Sequence, residues 1–337
     1  MIMDIWRSIE KKQFAPVYLL YGTEAFLINE TKQMLTKHVL SEEEVDFNLS
    51  VFDLEETPIE AALEDVETLP FLGERKLVFL QNAFFLTAEK NKSKVEHDVS
   101  RLEAYLADPA PYSIVAIAAP YEKLDDRKKI TKELKRKAAV LEAKKLNEQD
   151  LRIWLRERAA AAGVQIHEEA ISLLIEISGT NLMLLANEME KLSLYAEEKL
   201  IDAQMVEMLV AKSFEQNIFT LIDKILQRKV EPALSIYYEL LRQNEEPIKI
   251  LAVMAGQIRM LYQVKELARQ GYGQQKIASV LKVHPYRVKL AMEKAGRFSE
   301  KELMRLIYQL AEADYQIKTG QAEKRLAIEL ILLKMGT

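Results

Sequence analysis

The sequence predicts an α/β domain built on a parallel sheet, followed by a small helical domain and then a larger all-α domain. Three observations lead there. Residues 1–143 alternate short apolar runs with helical segments, the pattern of strands buried on both faces and covered by helices. Beyond residue 143 those runs stop and helical periodicity continues alone. Ten glycines and nine prolines are few for 337 residues rich in Leu, Ala, Glu and Lys, which favours helix. The expected domains are 1–143, 144–211 and 212–337.

The elements follow in order. VYLLY (17–21) is the first strand, apolar and partly β-branched. Residues 24–40 predict a helix, with Thr23 as the N-cap and Leu27, Met34 and Leu35 on one stripe. LSVFDL (49–54) is the second strand, and 58–67 a helix with Pro58 near its first turn. KLVFL (76–80) and SIVAIAA (113–119) are further strands, and AVLEA (139–143) a weaker fifth. Helices are expected at 147–162, 167–177, 180–197 and 202–210, punctuated by Gly163 and the Gly179-Thr180-Asn181 turn. More follow at 216–228, 231–242, 246–270, 274–282, 285–295, 300–318 and 323–334. Ser299 with Glu302 is a capping box. Leu303, Ile307, Leu310 and Ile317 form the apolar row of that helix. The last helix is apolar nearly all round in its final turns, so it should be buried in a bundle.

Composition narrows the function classes. A net charge of −5 means that the whole molecule is no electrostatic nucleic-acid binder, so DNA contact would need a local patch. The absence of cysteine excludes disulfides, thiolate nucleophiles and cysteine-ligated zinc. The N-terminal segment lacks the apolar core of a signal peptide. No apolar run approaches the ~20 residues that span a bilayer. The expected location is the cytoplasm, with no membrane contact.

Residues 17–29, VYLLYGTEAFLIN, have the strand–glycine–helix setting of a phosphate-binding loop. Such a loop, GxxxxGK followed by Ser or Thr, needs glycine-freed amides, a lysine for phosphate and a hydroxyl for magnesium. Counting from Gly22, the second glycine is replaced by Leu27, the lysine by Ile28 and the hydroxyl by Asn29. Apolar bulk thus stands where a polyanion would sit. A hydrolase of this kind would also end an apolar strand with magnesium-binding acids. After KLVFL come Gln81 and Asn82, neutral amides that bind magnesium poorly and are no general base. Two independent losses argue against ATP hydrolysis, although the domain order matches that of the AAA+ superfamily.

Other chemistry is thinly signalled. His38, His97, His167 and His284 show no metal-ligand spacing, and no metal is expected. There is no G-x-S-x-G elbow, and Gly271-Tyr272-Gly273 is more simply a turn. Asp314 and Lys318 fit an i, i+4 ion pair. The run from Asp125 to Lys145 is basic. It fits a solvated helix face or a DNA-phosphate contact through Arg127, Lys128 and Lys132. The sharpest binding candidate is Thr68-Leu69-Pro70-Phe71-Leu72-Gly73, where a helix ends in three large apolar residues around a proline. Such residues usually pack onto their own domain. The alternative is an exposed apolar wedge for a protein partner.

Several stretches in order resemble the delta-subunit family of bacterial DNA polymerase III: APVYLLYGTEAFLINE (15–30), TLPFLGERKLVFLQNA (68–83), GTNLMLLANEMEKLSLY (179–195), HPYRVKLA (284–291) and ADYQIKTG (313–320). The resemblance covers essentially the whole chain. It implies a degenerate AAA+ domain, a helical lid and a helical collar, with no ATP hydrolysis and no cofactor of its own. It implies an apolar plug that enters a pocket on the beta sliding clamp, carried here by Leu69, Phe71 and Leu72. The best-known family pattern has methionine, leucine and phenylalanine instead. It also implies hetero-oligomeric partners, the gamma/tau and delta-prime subunits, and primed template DNA within that complex. The delta-prime family is a worse match, since it typically carries a cysteine-ligated zinc. An active AAA+ ATPase or DNA-dependent motor with an atypical phosphate loop, and a helical adaptor outside replication, are the competing readings.

Overall fold

The computed structural model describes residues 2–71, 73–88, 95–196, 200–296 and 298–336. Two compact units emerge, Met1–Lys145 and Leu146–Thr337.

In the first unit the elements are α1 (Ile2–Glu10), β1 (Val17–Tyr21), α2 (Ala25–Val39), α3 (Glu42–Asn48), β2 (Leu49–Asp53), α4 (Ile59–Val66), β3 (Lys76–Gln81), a short 3-10 turn (Phe84–Leu86), α5 (Val99–Ala107), β4 (Ser113–Ala119), α6 (Lys129–Lys137) and β5 (Ala139–Glu142). The five strands make one parallel sheet in the order β2-β3-β4-β1-β5. β1 is flanked by β4 and β5, with Leu19 opposite Ile117 on one side and Val140 on the other. Alternation along the strands builds two faces. Val17, Leu19, Val78, Leu80, Val115 and Ile117 join Leu63, Leu102 and Leu134 of α4, α5 and α6 in one core. Helices α1 and α2 pack on each other and against the sheet, with Leu27, Leu35 and Ile9 fully buried.

Two details differ from the sequence reading here. Helix α1 was not anticipated; it buries Trp6 and Ile9, and the Trp6 indole donates to Thr31 Oγ1 at 2.7 Å. Thr23 is not the N-cap of α2. Glu24 holds that position and makes no side-chain cap, and its own amide donates to Ala143 O.

The second unit is helical: α7 (Glu148–Ala161), α8 (Glu168–Ser178), α9 (Leu182–Ala196) and α10 (Ala203–Leu209) come first. Two-residue strands β6 (Gln165–Ile166) and β7 (Leu200–Ile201) pair in parallel, too short for any periodicity to announce them. Then come α11 (Phe214–Leu226), α12 (Val230–Arg242), α13 (Pro247–Arg269), α14 (Gln274–Leu281), α15 (Pro285–Ala295), α16 (Glu300–Lys318) and α17 (Lys324–Gly336). The capping box forms as expected, Glu302 N–H to Ser299 Oγ at 3.2 Å and Ser299 N–H to the Glu302 carboxylate at 2.7 Å. Asp314 pairs with Lys318 at 2.7 Å on the surface. The expectation for α17 needs correction. Ile328 and Leu332 are fully buried, but Leu326, Leu330 and Leu333 stay about half exposed along one stripe. Among the described residues no helix is long and apolar enough to cross a membrane.

Candidate functional site

The turn after β1, read from the sequence as a phosphate-loop position, is closed from within. Gly22 adopts φ +127°, and a Cβ there would strike the Ala143 carbonyl. The Gly22 amide donates to Ala119 O at 3.2 Å and the Glu24 amide to Ala143 O at 2.9 Å. The Leu27 amide turns back to Glu24 O at 3.1 Å. These N–H groups, which in a phosphate loop would face the ligand, are bonded to protein carbonyls. Leu27 and Ile28 are buried and Asn29 is exposed.

At the end of β3, Asn82 lies at φ +57° and its amide group donates to both Asp53 oxygens, at 3.0 and 2.9 Å. Among the described residues no group of three His, Cys, Asp or Glu side chains could hold a metal ion.

The basic candidates are not gathered into one free patch. Arg127 makes two bonds of 2.9 Å to Asp125, and this pairing holds the Asp125 carboxyl down at about 2. The Lys128 ammonium is bound to Phe85 O at 2.8 Å and Thr87 O at 2.6 Å, a structural role. Lys132 is exposed on α6 and makes no ion pair among the described residues. Lys129 and Lys135 are paired with Glu103 and Asp126, both at 2.6 Å.

The loop after α4 is built the opposite way. Leu69 and Phe71 are 74% and 75% exposed, so they do not pack back onto their own domain. Leu72 lies outside the described residues. The carbonyls left unpaired at the end of α4 are taken up by side chains. Ser113 Oγ donates to Val66 O at 2.6 Å and the Tyr112 hydroxyl to Glu67 O at 2.7 Å. Lys76, almost wholly buried, donates to Asp65 O at 2.8 Å, to Asp65 Oδ1 at 2.6 Å and to Thr68 Oγ1 at 2.7 Å. Breaking such a buried pair by removing one partner costs roughly 3–5 kcal/mol, so the start of the loop is firmly tied.

Its far end is tied by α3. The fully buried Asn48 accepts the Phe71 amide on Oδ1 at 2.9 Å. The Phe47 ring lies 5.5 Å from the Phe71 ring. Gly73 takes φ +74° with the Glu44 carboxylate where a Cβ would be. That carboxylate accepts the Ser41 amide at 2.7 Å, and the bond lowers its pKa.

α4 itself is held at its start by a distant residue. His97 Nδ1 accepts the Ile59 amide at 3.1 Å while its ring sits between Phe84 and Phe85. Burial lowers the His97 pKa, outweighing the opposing pull of Glu60.

Comparison with known proteins bears on the whole chain. A family model described as "DNA polymerase III, delta subunit" matches residues 18–144, and one described as "DNA polymerase III delta subunit, C-terminal domain" matches 215–335. A "middle domain" model matches 147–208. The DNA polymerase III subunit delta of Bacillus subtilis is 49% identical over 336 residues, 99% of this chain and 97% of that protein. This chain belongs to the DNA polymerase III delta-subunit family. A probable delta subunit from Aquifex aeolicus is 24% identical over 76% of this chain and 72% of its own length. A solved structure of a Bacillus subtilis DNA clamp loader delta protein superposes with a TM-score of 0.83 at 49% identity, covering 100% of this chain and 99% of that one.

Sequence reasoning named Leu69 and Phe71 but missed Phe47, Asn48, Glu44 and Lys76, the residues that hold them outward. Only Gly73, a glycine directly after the apolar run, hinted at a tight approach.

Proposed function

We propose that this chain is a non-catalytic, cytoplasmic subunit of a clamp loader that grips the beta sliding clamp and opens it for loading onto primed DNA. The observation that carries the reading is the exposed pair Leu69 and Phe71, presented on a loop tied through the Thr68 hydroxyl and the Phe71 amide. With Leu72 they would fill an apolar pocket on the clamp. Each well-buried large side chain contributes roughly 1.5–3 kcal/mol, enough for two or three to act as a hot spot. Opening then follows from differential affinity, the subunit binding a sprung ring better than a closed one.

The closed turn supports the absence of ATP hydrolysis here. The energy would come from partner subunits, gamma/tau, with delta-prime completing the hetero-oligomer. Residues 1–143 would carry the tip, 144–211 a lid and 212–337 the collar. The exposed leucines of α17 suit helix packing between subunits. DNA phosphates would meet Lys132 more readily than Lys128, with Arg127 available only by releasing Asp125. On this reading the chain would belong to the DNA polymerase holoenzyme without a reaction of its own.

The test is binding of the full chain to its cognate clamp, without nucleotide. The Leu69→Ala, Phe71→Ala double variant, with its fold checked by circular dichroism, should bind about a hundredfold more weakly, or worse. Equal binding by both would move the site elsewhere. No binding by either would return the ATPase and adaptor readings.

A further inference from the structure

The apolar tip is made by two elements rather than one. Phe47 stands in the last turn of α3 and remains 56% exposed, though its ring touches Phe71. Successive helical residues point about 100° apart. The same turn therefore sends Asn48 inward to the Phe71 amide and leaves Phe47 outward beside the Phe71 ring.

As a folding contact this ring pair is weak. Phe71 is three-quarters exposed and Phe47 more than half, so neither ring gains much shelter from the other. As a surface the pair is coherent. The rings lie 5.5 Å apart and are inclined by only 32°, a continuous apolar pad with Leu69 two residues away in the chain. The rest of α3, EEEVDFN, is mostly acidic, which makes an aromatic in its exposed last turn stand out. Aromatic side chains flanking an anchor are what interface cores are enriched in.

We infer that Phe47 is a further contact residue for the sliding clamp, covered by the same partner surface that receives Leu69 and Phe71. This rests on the reading of the tip as clamp-binding. The clamp is the occupant because the Phe47 ring continues the surface already assigned to it, and a pocket that buries Phe71 cannot leave a ring in contact with Phe71 fully wet.

The chain offers a clean test because it has no cysteine of its own. In a Phe47→Cys variant the only thiol on this protein reports on that position. Its alkylation by a small maleimide would be timed with and without saturating clamp whose own thiols are blocked beforehand. A Tyr308→Cys variant, at a position 71% exposed on α16, serves as the reference. The expected result is alkylation slowed about tenfold or more at position 47, since a covered thiol reacts only while the complex is apart, with position 308 unchanged. Adding Leu69→Ala and Phe71→Ala to the Phe47→Cys variant should abolish the protection. If a complex forms on gel filtration and position 47 stays fully reactive, Phe47 is only a buttress and the inference is overturned, while the clamp reading stands. If the unmodified chain forms no complex, the clamp reading fails and takes the inference with it.

Discussion

Two loops of the α/β unit each turn on a glycine with positive φ, Gly22 after β1 and Gly73 before β3, yet they are finished in opposite ways. Around Gly22 the large side chains point in and the amides close onto Ala119 and Ala143. Before Gly73 the Asp65, Val66 and Glu67 carbonyls and the Phe71 amide are bonded to Lys76, Ser113, Tyr112 and Asn48, but Leu69 and Phe71 point out. What separates the two loops is the direction of the apolar side chains, Leu27 and Ile28 buried and Leu69 and Phe71 exposed.

The largest effect should come from the turn at Gly22. Gly22→Ala would put a Cβ into the Ala143 carbonyl at a φ that other residues avoid, and should cost about 3 kcal/mol or more in urea unfolding. A mild effect would mean that β5 can move away and the turn is less closed than its contacts suggest. Next comes the support of the loop that carries Leu69 and Phe71. Asn48→Leu leaves the Phe71 amide without its acceptor, a loss of roughly 1–3 kcal/mol. Clamp titration should show binding weakened about tenfold with Leu69 and Phe71 intact. Unchanged affinity would show that the loop presents itself without α3.

A smaller effect is expected from pH. His97 has a pKa lowered by burial and accepts the Ile59 amide, so the folded state favours its neutral form. The unfolded chain then binds the proton more readily, and stability is complete above the ordinary value near 6.5 and falls as pH drops below it. Thermal unfolding at pH 7.5 and 5.5 should differ more for the natural chain than for His97→Gln. An identical pH dependence in both would remove His97 as the cause. The smallest effect is a null. Millimolar ATP should leave the melting temperature unmoved, whereas saturation a hundredfold above Kd would add about 2.7 kcal/mol.

Much of the fold was legible because buried parallel strands write themselves as apolar runs. VYLLY is β1 residue for residue, and AVLEA, the weakest run, overshoots β5 by one. The burial of Leu27 and Ile28 after the glycine was equally plain, since both are large and apolar. What escaped notice depended on distant partners. Lys76 looked like a charged strand entry, but Asp65 and Thr68 draw its amine inside. Lys128 looked like one of a solvated basic run, but two carbonyls across the loop claim it. The last helix looked buried all round because composition cannot tell a side facing the bundle from one facing away from it.

Anchoring at Thr68 and Phe71 also bears on how fast the partner can be met. A segment that must order itself on contact associates slowly, because many encounters fail before it folds. Here the bonds that hold the loop, from the Lys76 ammonium to the Thr68 hydroxyl and from the Phe71 amide to Asn48 Oδ1, are already made in the free chain. First contact should then proceed at the roughly 10⁵–10⁷ M⁻¹s⁻¹ of docking between preformed patches, leaving any slow phase to the deformation of the ring.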